Sequence, residues 1–171
     1  FTGTEIGILQ SLREIPGFLA FTVIYVLLLV NEQKLALASL LLTSVGVAAT
    51  GFFPSVYGLY ITTVVMSIGF HYFETVNQSL TLQWVDKDKT AHFMGRLLSI
   101  KSIASLLAFS SIWLIMEKLE WSYQSTYALF GGLAIIFTII MWLGFPQFPP
   151  KSEQRKELIL RKRYWLFYAL T

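Results

Sequence analysis

The stretch VYGLYITTVVMSIGFHYFETVNQSLTLQWV, residues 56–85, decides how this chain is read. Its first half, up to Phe70, is apolar and carries no turn signal. Its second half brings in His71, Glu74, Asn77 and Gln78 without a break in helical periodicity. At 100° per residue Ser67, His71, Glu74, Gln78 and Thr81 share one stripe, with Asn77 on its flank, while Ile68, Val76 and Leu80 lie away from it. A helix with two such faces inside one hydrophobic run suits a transmembrane segment with lipid on one side and a polar cavity on the other. The alternative is a hydrocarbon span that ends near Tyr72, which makes the polar residues a solvated helix end.

Composition supports the membrane reading. Hydrophobic residues make up 55% of the 171 and charged residues only 13%, with a mean hydropathy of +0.61. Soluble domains carry about 25% charged residues. The chain is therefore expected to be an all-α polytopic membrane protein. It has no Cys, so neither a disulfide framework nor a thiolate metal site can be built. It begins without Met and stops inside an apolar run, Tyr164 to Thr171. The expectation is a piece of a longer protein.

Outward from residues 56–84, four further spans can be drawn. The first covers 6–30, interrupted by Gln10, Ser11, Arg13 and Glu14 and then by Pro16-Gly17. Such a break is tolerated where neighbouring helices or a cavity satisfy the freed backbone groups. A shorter span from Ile15 would leave Arg13 and Glu14 among headgroups. Asn31-Glu32-Gln33-Lys34 reads as a tight polar turn, and 35–53 as the second span. After residues 56–84 comes a charged connection, Asp86 to His92, then spans at 93–116 and 125–145, the last ended by Pro146, Pro149 and Pro150. The partial bundle thus occupies 1–145, a linker 146–163, and the start of a sixth span 164–171.

The run KSEQRKELILRKR, 151–163, orients the chain. If it is cytoplasmic, Lys34, Lys87, Lys89 and Arg96 fall on the same side, ten basic residues in all, against Lys118 on the other. Topology accounts for this run without nucleic-acid binding.

Five spans, a long basic connection and a further span resemble the major facilitator superfamily, read from its second helix to the start of its seventh. IGILQSLREIPGFLAF at 6–21 and DKDKTAHFMGRLLSIKS at 86–102 carry the local likeness. Where that family has a Gly-Asp-Arg-rich loop, this chain has LVNEQKLAL at 29–37, with Glu32 and Lys34 as the acidic and basic residues. In its fourth helix Thr63 stands where an Arg is usual, and Gly69 is kept. The resemblance implies part of an N-terminal six-helix bundle whose second, fourth and fifth helices line a central cavity. Intramembrane charges fall on those helices: Arg13 and Glu14, His71 and Glu74, Arg96 and Lys101. The family's first helix and its C-terminal half would be partners absent from this stretch.

The resemblance also implies a proton- or ion-coupled secondary transporter, in the plasma or inner membrane, moving a small solute across the bilayer by alternating access. Glu74 is the candidate proton-binding group, with His71 one turn away as a relay. Asn77 and Gln78 offer hydrogen bonds to a solute. Arg13 and Lys101 either hold an anionic group or pair with Glu14 and Glu74. Arg96 and Lys101 can instead snorkel to the interface. Against an enzyme, the chain has only one other His, His92, and no G-x-S-x-G elbow; no cofactor or metal is called for. A non-transporting scaffold, receptor or assembly factor on the same fold is the rival function.

Overall fold

The computed structural model describes residues 2–148. The basic run 151–163 and the expected start of a further span at 164–171 lie outside the described residues. Among those described, the chain is helical with short connections.

Helix α1 (Gly3–Phe18) starts on a reciprocal cap in which Thr2 Oγ1 accepts the Glu5 N–H and the Glu5 carboxylate accepts the Thr2 N–H at 2.6 Å. Pro16 lies within its last turn and has no N–H to give back to the preceding turn. The chain then tightens into a 3₁₀ turn, Leu19–Thr22, before a short α2 (Val23–Leu27). Residues 6–30 are therefore a jointed α–3₁₀–α run, not one straight rod.

Helix α3 (Glu32–Thr50) begins one residue after its cap, Asn31. The polar turn expected at 31–34 is thus already the first turn of a helix. Helix α4 (Val56–Trp84) carries the whole opening stretch, capped by Ser55. Its 29 residues rise ~43 Å against a hydrocarbon core of ~30 Å. Helix α5 (Lys87–Trp113) begins within the charged connection, which is helical from its second residue, and runs on through a π turn, Leu114–Lys118. Glu120, at φ 53°, turns the chain toward Ser122, which caps α6 (Tyr123–Gly144). Among the described residues, four helices are long and apolar enough to cross a membrane: Glu32–Thr50, Val56–Trp84, Lys87–Lys118 and Tyr123–Gly144.

α3 sits between α4 and α6, while α1 lies along α4. The interior inverts the soluble pattern. Val23, Leu35, Ala36 and Val76 are its only buried hydrophobic side chains among the described residues, whereas ten polar or charged ones are buried, nine of them Ser or Thr. Leu29, Phe18 and Leu143 point outward, each more than 80% exposed. Lipid tails are as apolar as Leu, so helices gain little by hiding large side chains from them; small residues that let backbones approach are what bind helices together. Most of these hydroxyls donate to carbonyls one turn back: Ser44 to Leu40, Thr50 to Gly46, Thr62 to Gly58, Thr126 to Ser122 and Thr138 to Ala134. Polar side chains thereby enter the interface without an unmet donor. Approach is closest at Gly131, where a Cβ would stand 2.4 Å from the backbone of Ala48, and at Gly69, where it would stand 2.6 Å from the Ser39 carbonyl.

Candidate functional site

Polar residues of the α4 stripe go to three different environments. At its upper end Ser67 is buried, and its hydroxyl donates to the Arg13 carbonyl of α1, close to the turn that Pro16 disturbs. At its lower end Thr81 is buried and bonds the Asn77 carbonyl of its own helix. Between them stands Glu74, half-buried and turned toward α5. Lys101 Nζ donates to both carboxylate oxygens, at 2.8 and 2.9 Å. Their side chains are 30% and 45% exposed respectively, so solvent still screens the pair, which contributes up to about 1 kcal/mol. It is the one ion pair joining two helices among the described residues.

Arg13 and Glu14 are both exposed, and the guanidinium donates to its sequence neighbour through Nε at 3.0 Å and Nη2 at 2.9 Å. Of the two arrangements open to these residues, holding an anion or pairing, the structure has the pairs: Arg13 with Glu14, Lys101 with Glu74. His71 is half-buried. Its ring stands edge-on to Phe70 at 5.3 Å and lies against Gly17, where an added Cβ would come within 2.8 Å of Cε1. A side chain at this position of α1 would displace the imidazole from its present place. No hydrogen bond joins it to Glu74 among the described residues. Asn77 is half-buried and Gln78 exposed. No three of His, Asp and Glu come together among the described residues in a way that would hold a metal ion.

The α1 segment is laid onto α4 by hydrogen bonds along its length. Tyr60 donates to the Glu5 carbonyl at 3.1 Å, Ser67 to that of Arg13, and the hydroxyls of Thr22 and Tyr72 meet at 2.6 Å. Helix α5, by contrast, has no buried residue and few contacts with α4. A wall of packed helices thus faces one lightly held helix, with a carboxylate–ammonium pair across the gap.

The family model for the Major Facilitator Superfamily matches residues 1–170. The chain belongs to the Major Facilitator Superfamily. It is an integral membrane protein of a transporter superfamily, and the bilayer is its surroundings. No curated protein and no solved structure matches it.

A second polar group in this superfamily member escaped the reading of the stripe. Glu32, the first residue of α3, is only 8% exposed. Its carboxylate accepts from Ser79 Oγ at 2.7 Å and from Gln83 Nε2 at 2.7 Å, both on α4. Next to it Gln33 donates to the Pro146 carbonyl at 2.9 Å and accepts from the Phe148 N–H at 3.2 Å, tying the start of α3 to the chain leaving α6. The signal was present in the opening stretch, since Ser79 and Gln83 are four residues apart and so share a face. Their partner lay in a segment read as a turn, and that hid the cluster.

Proposed function

We propose that the protein is a secondary active transporter that moves a small solute by alternating access, coupled to a proton or another ion through Glu74. The ion pair to Lys101 carries this reading. With Glu74 charged, the pair tethers α5 to α4. When a proton neutralises the carboxylate, Lys101 is released and α5 loses its only ionic tie to α4 among the described residues. Binding of a coupling ion is thereby linked to the movement of one element against another, which is what coupled transport needs. His71 lies one turn from Glu74 on the same helix as a proton relay, and Asn77, Gln78, Arg13 and Glu14 supply polar groups for the solute pathway. In this reading the basic run 151–163 is cytoplasmic in a plasma or inner membrane. The bonds from Gln33 to Pro146 and Phe148 support that topology, because they bring Lys34 and the chain leading to this run to one end of the bundle.

The test is made on the full-length protein in liposomes loaded with a pH-sensitive dye. Sugars, amino acids and carboxylic acids are added in turn, with and without an imposed pH gradient. Solute-driven proton movement is expected in the wild type and lost in Glu74→Gln, while downhill solute exchange persists. Coupling that survives in Glu74→Gln removes this residue from the role. If no solute responds to any gradient, a non-transporting scaffold on the same fold is the better reading. The replacement of the family's Gly-Asp-Arg-rich loop by LVNEQKLAL, whose acid is buried under Ser79 and Gln83, is the observation that favours it.

A further inference from the structure

A cavity of about 410 Å³ lies where the first turn of α3 meets the C-terminal ends of α4 and α6, and Phe93 of α5 closes one side. Its size is that of a small-ligand pocket. Among its polar lining residues are Glu32 and Gln83, set beside the rings of Trp84, Phe93, Trp142 and Phe148. Trp84 and Phe148 pack at 5.2 Å between ring centres, and the Gln33 bonds hold Phe148 in place.

The polar pair is chemically incomplete. Glu32 is buried, yet both of its hydrogen bonds come from neutral donors, and no Lys, Arg or His makes an ion pair with it among the described residues. A buried carboxylate without a countercharge is costly, and neutral donors offset only part of that cost. Gln83 gives its amide nitrogen to Glu32 and, at 3.3 Å, to Ser79. That leaves its Oε1 enclosed with no donor among the described residues. Lys34 also lines the cavity, but it is exposed and forms no ion pair with Glu32. One uncompensated negative charge beside one unmet acceptor calls for a group with a positive charge and several N–H donors. Aromatic rings around them attract a cation through their π faces and accept an apolar body.

We propose that this cavity binds a protonated primary amine bearing an aromatic or alkyl group. The ammonium bonds the Glu32 carboxylate and, with a small rotation of the amide, Gln83 Oε1. The apolar part lies against Trp84, Phe93, Trp142 and Phe148. Such a ligand touches α3, α4 and α5 at once, at the far end of α4 from Ser67. It is distinct from any solute handled at Glu74.

Binding of 2-phenylethylamine to the full-length protein in an uncharged maltoside detergent, followed by titration calorimetry, tests this. The neutral isostere 2-phenylethanol is run beside it. Saturable binding of the amine is expected at about tenfold or more above the alcohol, the scale of a charge-assisted hydrogen bond. Glu32→Gln is expected to remove that preference, and Trp142→Leu to weaken both compounds severalfold. Equal affinity for amine and alcohol overturns the proposal, as does amine binding that survives both Glu32→Gln and Trp142→Leu. The isostere comparison needs no variant, so it decides the matter even if Glu32→Gln does not fold.

Discussion

Helix α3, between α4 and α6, and helix α5 are each long and apolar enough to cross a membrane, yet they are held in opposite ways. In the first group, backbones touch: Gly131 against Ala48, Gly46 against Met66, Gly69 against Ser39 and Thr43. On α5 no residue is buried, and Gly95 has open space where its side chain would be. Among the described residues, the long-range attachment of α5 comes down to a few contacts with α4 and the Lys101–Glu74 pair. Close backbone packing is short-ranged and unforgiving of added atoms, so the first group behaves as one body. An ion pair acts over a longer distance and can be switched by a single proton. A transporter needs both kinds of joint, and this stretch of chain holds one of each.

Adding side chains where the two kinds of joint differ breaks the comparison most sharply. Gly131→Leu forces a branched side chain into the Ala48 backbone, which cannot rotate away, and should destabilise the full-length protein by about 3 kcal/mol, the upper range for overpacking. The adjacent Gly132 has nothing within 4 Å. Gly132→Leu and Gly95→Leu should each stay within about 0.5 kcal/mol of wild type, as surface changes do. Thermal unfolding in detergent, read for all three variants side by side, checks the ordering. A Gly95 variant as damaging as Gly131→Leu would show that α5 is packed, not tethered.

Next in size is the ion pair itself. Glu74→Gln and Lys101→Met should each cost up to about 1 kcal/mol, because both groups remain partly exposed and screened. The double variant should cost little more than either single one, since the second change removes an interaction already gone. Exchanging the charges, Glu74→Lys with Lys101→Glu, should restore most of the loss. Strict additivity in this cycle would mean that the bond does not hold α5.

Hydropathy made four of the five expected spans legible, because a helix must stay apolar for about 20 residues to cross a bilayer and few other constraints ask that of a sequence; residues 6–30 instead form shorter jointed helices. Pro16-Gly17 likewise announced the joint in the first stretch. The polar stripe on α4 was legible only as periodicity. Ser67 and Thr81 share its angle with Glu74, but they are buried against neighbours, and one sequence does not say which part of a helix face a neighbour covers. Gly131 next to Gly132 shows the same limit: two identical residues, one pressed against Ala48 and the other open. Glu32 was missed for a different reason. A short charged tetrapeptide between apolar runs reads as a turn, and only the helix beginning at Glu32 itself turns that carboxylate toward Ser79 and Gln83.

The smallest effect belongs to the beginning of α1, a joint made of hydrogen bonds alone. The Glu5 carboxyl is held below its ordinary range, chiefly by the Thr2 backbone N–H and then by the Thr2 side chain. A group with a depressed folded value lends its stabilisation above its unfolded value and loses it as pH falls through the folded one. The first turn of α1 should therefore be firm at neutral pH and fray in acid, below the ordinary carboxylate range. Hydrogen exchange at residues 3–7, corrected for the intrinsic pH dependence, should show this protection falling in acid. Glu5→Gln should flatten the profile. Tyr60 bonds the Glu5 carbonyl, not its carboxylate, so the contact between α1 and α4 should persist while the cap opens. Protection at α4 that falls together with that of residues 3–7 would mean that the cap also controls how α1 lies on the packed wall.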